Sequence, residues 1–367
     1  MNMMDYIQWR GDLPFSACGL NEVDNLIFST LANLDMGGLV SADGAQTQTL
    51  ASLCEAYFRA GREKMEIMPD RAALLQAAAN SIRFRTVAVR WFVNEVDAAR
   101  QLQFSAVTFS YSEDAAYIAF RGTDNTLVGW REDFNMSFLN ETPGQNAAAA
   151  YVERIASLFP GRLTVGGHSK GGNFAVYAAA FCDPSVGARI DRVYSNDGPG
   201  FRQEVAADPR YLAILPKTEK IIPDSSLVGI LLSGREQRRV IQSSAKGVAQ
   251  HNPFTWCVLG PAFEEADERT RSSIFMDDTL SKWLASLRED ELRTMFDVIF
   301  DSLQSSGVKT LHEIRENKFA TYTAFLKAIS KVDSGSRSDV AASLQKLFGS
   351  GMDVFKESLH HGENAGN

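Results

Sequence analysis

The amino-acid sequence predicts an α/β fold: a mostly parallel sheet covered by helices, with helices ahead of it and a helical extension behind it. Three observations carry this. Short β-rich runs alternate with helical runs through the middle of the chain, the rhythm of parallel strands joined by helical crossovers. Before and after that region, apolar residues recur with helical spacing instead. The 367 residues are 45% apolar, enough to bury a large core.

Taken in order, NEVDNLIFSTLANLD (21–35) sets Val23, Leu26, Ile27, Leu31 and Leu34 on one helical face, with Asn21 as N-cap. Residues 48–60 and 70–80 carry further helices. Strands follow at TVAVRWFV (86–93), FSAVTFSY (104–111) and AAYIAFRG (115–122), rich in β-branched and aromatic residues. Helix 144–159, strand 162–166, helix 171–181 and strand 191–196 then alternate, and strands 218–223 and 238–243 complete the sheet. From about residue 261 the pattern is helical, with apolar faces at 275–287, 289–307, 319–332 and 338–359. The expected organisation is a core over 1–260, a helical extension packed on it over 261–358, and a fraying polar tail over 359–367.

Charge narrows the function. A net charge of −8 and a pI near 5.3 argue against nucleic acid, which needs a basic face. The basic stretch GREQRRV (234–240) is short and reads as a solvated strand end. Cys18, Cys54, Cys182 and Cys257 are scattered, with no C-x-x-C pair and no histidine at ligand spacing. They imply no metal site and a reduced, cytoplasmic protein. The N-terminal stretch has no apolar secretory core, and no apolar run is long enough to span a membrane.

The chemistry centres on RLTVGGHSKGGNF (162–174), which holds the pattern G-x-S-x-G at Gly167–Gly171. Alone the pattern is weak. Here a strand precedes it and a helix follows, the setting of a nucleophile elbow. Such a bend strains the serine backbone and crowds its flanks, so glycines are needed beside it. Ser169 would then leave the sheet at a helix N-terminus, whose amides favour negative charge. A serine needs a base. His168 adjoins it, and neighbours at an elbow point apart. His312 reads as a surface helical residue, and His360 and His361 sit in the tail. His251, on the loop AQHNPFTW after the last strand, completes the chain order Ser…Asp…His of α/β-hydrolases. Two acids lie between them at strand ends: Asp197 in SNDGPG and Asp224 in IIPDSSLVG. Oxyanion donors are expected from the amide of Lys170 and, in AFRGTDNT (119–126), from the amide and hydroxyl of Thr123.

AFRGTDNTLVGWREDF (119–134) resembles the F-R-G-T…W…D stretch of class 3, fungal-type lipases, in which the threonine position serves the oxyanion hole. Over most of its length the chain resembles a bacterial α/β-hydrolase family marked by G-H-S-K-G-G-N, through the elbow, SNDGPGF, PDSSLVGILL and QHNPFTW. The resemblance implies an α/β-hydrolase fold, with Ser169 as nucleophile, His251 as base and Asp197 as acid, but no substrate. It favours Asp197 because that family usually carries glutamine at the position of Asp224. Class 3 lipases place their acid near the following strand, where Lys220 stands here. Lys170 also departs from lipases: its ammonium either attracts an anionic group on the substrate or is solvated. By the same resemblance residues 124–147 correspond to a lid, with Trp130, Phe134, Met136 and Phe138 either shielding an acyl pocket or belonging to the core.

The expectation is therefore a cofactor-free serine esterase or lipase acting on a small-molecule or lipid-like ester. Its rivals are a thioesterase or peptidase on the same fold, and a silent binding or scaffold protein.

Overall fold

The computed structural model describes residues 1–124 and 126–270, together with Ser273, Ile274, Arg293, Asp297 and Phe300. The C-terminal helices expected over 275–359 lie outside the described residues apart from those last three, as do His312, His360 and His361. The chain divides into two compact units, one of residues 1–124 and 128–284 and one of 125–127 and 285–367.

Ten helices are described: α1 (Met3–Arg10), α2 (Glu22–Leu31), α3 (Leu50–Arg59), α4 (Pro69–Asn80), α5 (Leu127–Asn135), α6 (Pro143–Leu158), α7 (Lys170–Phe181) and the short α8 (Pro184–Gly187), α9 (Gln203–Ala206) and α10 (Pro209–Ile214). One sheet takes β1 (Gln48–Thr49), β2 (Ala88–Asp97), β3 (Leu102–Ser110), β4 (Ala115–Phe120), β5 (Arg162–His168), β6 (Ile190–Asn196), β7 (Thr218–Pro223) and β8 (Arg238–Ile241), in that spatial order. β1 to β4 pair antiparallel, and β4 to β8 run parallel. A hairpin of β9 (Val258–Leu259) and β10 (Ala262–Phe263) spans the expected boundary at 260, and α1 and α5 were not visible as periodic segments.

Both faces of the sheet are buried, as a parallel sheet requires. On β4, Tyr117 and Ala119 face one core with Phe28 and Phe84, while Ala116, Ile118 and Phe120 face another with Tyr151 and Phe174. That two-residue period assigns α2 to one face and α6 and α7 to the other.

α2 starts where expected. The Asn21 side chain accepts from the amides of Val23 and Asp24, and Asp24 accepts in return from the Asn21 amide. Every residue of α2 is buried, the polar ones included. Asp24 pairs with Arg83 at 2.5 Å with both side chains fully enclosed, and Arg83 also donates to the carbonyls of Leu13, Cys18 and Gly19. The basic stretch expected to be solvated is so only in part: Arg235 and Gln237 are exposed, while Arg239 reaches Glu22, Glu219 and Glu265.

Candidate active site

β5 ends at His168, and the chain turns into α7 through Ser169 at φ 59°, ψ −131°. A non-glycine residue there is strained and persists only where its surroundings hold it. The Ser169 amide donates to the Asn196 carbonyl at 2.9 Å, and the Ser169 carbonyl accepts from Gly172 at 2.9 Å. The flanking glycines are needed for close approach: a Cβ on Gly167 would meet the backbone of Gly171 and stand 2.7 Å from the Phe120 carbonyl.

Beneath the bend lies a polar network. Asn196 and Asn25 exchange amide hydrogen bonds at 2.9 and 3.0 Å, and Asn196 Nδ2 also reaches Ser29 Oγ and the Gly167 carbonyl, each at 3.1 Å. Tyr117 donates to Asn25 at 2.6 Å. α2 thus supports the elbow from below. The reading of the sequence used only its apolar face. The signal available was Asn25 and Ser29, one turn apart on a helix otherwise reading as core.

Directly after β6, Asp197 takes φ 49° and is fully buried. His251 ends a short 3₁₀ turn, Gly247–His251, rather than lying on an irregular loop. Its Nδ1 stands 2.7 Å from Asp197 Oδ2. The other carboxylate oxygen accepts from the Ser226 hydroxyl and, at 3.1 Å, from the Gly229 amide. Burial alone pushes the Asp197 carboxyl up, but the His251 imidazole and the Ser226 hydroxyl more than offset it and hold it below the usual carboxylate range. Asp224 makes no such contact with His251. It accepts from Gln250 Nε2 at 2.7 Å and so sits one residue removed from the imidazole.

His168 does not simply point away. Its ring lies 4.5 Å from that of His251, and its Nε2 donates to the His251 carbonyl at 2.8 Å. Burial and the neighbouring imidazole push its pKa down to about 3, so the ring is neutral with its proton on Nε2.

Around Ser169 the remaining residues close in. A Cβ on Gly122 would stand 3.5 Å from Ser169 Cβ, and one on Gly198 would stand 2.9 Å from the Ser169 carbonyl. The Thr123 loop and the residues around Asp197 therefore flank the serine. Among the described residues Ser169 Oγ makes no hydrogen bond, so its link to His251 is not closed. The Thr123 hydroxyl, expected as an oxyanion donor, donates instead to Asp133 Oδ2 at 2.6 Å.

Lys170 is neither solvated nor available to substrate. It is 1% exposed, and its ammonium lies 3.2 Å from Glu132 and 3.7 Å from Asp133. The aromatic and apolar residues of the expected lid divide: Met136 and Phe138 are core, while Trp130 and Phe134, one turn apart on α5, remain partly exposed.

A mostly parallel sheet carrying a positive-φ serine at the end of a central strand defines an α/β-hydrolase fold. The chain belongs to the Mbeg1-like family, matched over residues 78–301. It is similar to the Rhizomucor miehei lipase propeptide complex (15% identity, TM-score 0.39, covering 70% of this chain and 77% of that one). It is also similar to Lip2 lipase from Yarrowia lipolytica (12%, 0.37, 68% and 88%) and lipase from Rhizopus microsporus var. chinensis (12%, 0.35, 63% and 83%). No curated protein matches it in sequence. Among the described residues no helix is long and apolar enough to cross a membrane.

Proposed function

We propose that the protein is a serine hydrolase of esterase or lipase type, using Ser169, His251 and Asp197. The observation that carries this reading is the 2.7 Å contact between His251 Nδ1 and a carboxylate with no exposure. An aspartate so placed, with two further donors on its other oxygen, has one service to offer the imidazole: it holds the proton on Nδ1 and leaves Nε2 free to accept.

In the proposed reaction His251 Nε2 takes the Ser169 hydroxyl proton as Oγ bonds to the ester carbonyl carbon. The amides of Lys170 and Thr123 receive the resulting oxyanion. Lys170 N–H opens α7, where first-turn amides have no intrahelical acceptor. The C–O bond then breaks and His251 protonates the departing alcohol. Water repeats the sequence on the acyl-enzyme and releases the acid. Closure of the Ser169–His251 bond accompanies substrate entry, as catalytic hydrogen bonds often tighten in the complex.

Trp130 and Phe134, just beyond the Thr123 loop, supply an apolar surface for the acyl chain of a small or lipid-like ester. Four free cysteines suit a reducing, cytoplasmic setting.

The test is covalent labelling by a fluorophosphonate, beside hydrolysis of a p-nitrophenyl ester series. Stoichiometric labelling at Ser169, with turnover lowered about 10³-fold or more in Ser169→Ala, supports the reading. Unlabelled wild-type protein at high probe concentration, with no turnover, would overturn it in favour of a binding role.

A further inference from the structure

Lys170 carries its amide and its ammonium on one Cα, directly after the serine. The amide opens α7. The ammonium is enclosed, and a lysine is seldom enclosed unless its charge is met. It reaches the carbonyls of Gln103 and Gly129, each at 3.4 Å, as well as Glu132 and Asp133. Both carboxylates are themselves anchored. Glu132 accepts from the Gly144 amide at 2.6 Å and the Gln103 amide at 3.1 Å. Asp133 accepts the Thr123 hydroxyl.

A single ammonium therefore joins the start of β3 at Gln103, the Thr123 loop, α5, the start of α6 and the start of α7. An apolar side chain would fill the space at no desolvation cost, and a charge adds geometry rather than stability. Two carboxylates share the one cation. Asp133 Oδ1 is shut away from water and accepts no hydrogen bond among the described residues, so the ammonium at 3.7 Å is its counter-charge. Without that charge Asp133 either takes up a proton or swings outward, and Thr123 loses a fixed acceptor.

We infer that Lys170 is a positioning residue: through Asp133 it fixes the Thr123 loop at one spacing from the amide that follows Ser169. Its catalytic consequence rests on the esterase reading above. The tether itself does not.

The test compares wild type with Lys170→Met, and with Lys170→Met combined with Glu132→Gln. The double variant keeps the charge balance and stays testable where the single one fails to fold. Amide hydrogen exchange over residues 121–124 reads the tether directly, and ester hydrolysis reads its consequence. Exchange there is expected to quicken about tenfold or more, confined to this loop and the α5 contacts. The kcat is expected to fall by about 10²-fold with KM within about threefold, the signature of an interaction made only in the transition state. A folded double variant with unchanged exchange at 121–124 overturns the inference, as does a lowered melting temperature without that local change. Wild-type protein without hydrolysis sinks the esterase reading, while the exchange measurement still decides the tether.

Discussion

Replacing Asp197 with asparagine keeps its size and burial and changes one thing, the hydrogen-bonding sense of one end. Three donors converge on the two carboxylate oxygens. Ser226 and Gly229 share Oδ1, and His251 Nδ1 faces Oδ2. An asparagine has a single accepting oxygen. The two donors on the Ser226 side hold it there, so the NH₂ group is forced toward His251. The imidazole must then offer a lone pair at Nδ1 and carry its proton on Nε2, where it cannot accept from Ser169. An inverted tautomer of this kind lowers kcat by about 10⁴-fold, equivalent to about 5 kcal/mol of the barrier. The measurement is kcat for a p-nitrophenyl ester in wild type and Asp197→Asn, with urea unfolding to confirm that stability is retained. A variant keeping more than about a tenth of wild-type kcat would refute the reasoning, since no tautomer inversion is compatible with such residual activity.

Asp224→Ala removes the 2.7 Å partner of Gln250, which keeps its bonds to Ala245 and Ser225. The expected loss of kcat is less than about tenfold in the same assay, far below that of Asp197→Asn. His168, with a folded pKa near 3 against an ordinary 6.5, contributes stability that is complete above pH 6.5 and is lost as pH falls toward 3. Thermal melts at successive pH values should show the gap between wild type and His168→Gln narrowing below pH 6.5, by up to about 1.4 kcal/mol per pH unit. Asp133 acts oppositely, since burial raises its pKa to about 6 and acidification from 6 toward 3.8 relieves its buried charge, so Asp133→Asn should be relatively most stabilising above pH 6. Arg83→Met strands the enclosed Asp24 and should cost about 3–5 kcal/mol in urea unfolding, with much of that loss recovered by adding Asp24→Asn.

The sheet was legible because its strands are buried on both faces and read as continuous apolar runs bounded by turns. The strand at 218–223 fell on its expected bounds, and the helices at 143–158 and 170–181 began within a residue of theirs. The strand expected over 86–93 runs instead over Ala88–Asp97: the apolar run passes through the bulge at Trp91, φ 55°, and ends at Val93, whereas the strand continues through the polar, partly exposed Asn94, Glu95 and Asp97. α5 was missed because Leu127, Trp130, Glu132 and Asp133 give no simple apolar stripe: its inward face is charged, turned toward Lys170. The same cause misled the reading of Lys170. A lone lysine in a glycine-rich turn looks solvated until two carboxylates from a distant segment are brought beside it. The elbow's local geometry turns His168 away from Ser169 but carries no information about a histidine 83 residues onward. Asp197 and Asp224 are alike in sequence, and what separates them is a single turn of the segment holding Gln250 and His251.

The floor of asparagine, serine and tyrosine beneath the elbow has a bearing on how this chain can be cut. Asn25 and Ser29 come from outside the family match, which begins at residue 78, yet they complete the bonding of Asn196 and Tyr117. A fragment trimmed to the matched region would leave those two groups opening onto solvent or onto each other, with the strained serine above them unsupported. A piece of this protein that keeps the floor intact therefore extends back at least through α2, well ahead of the matched region.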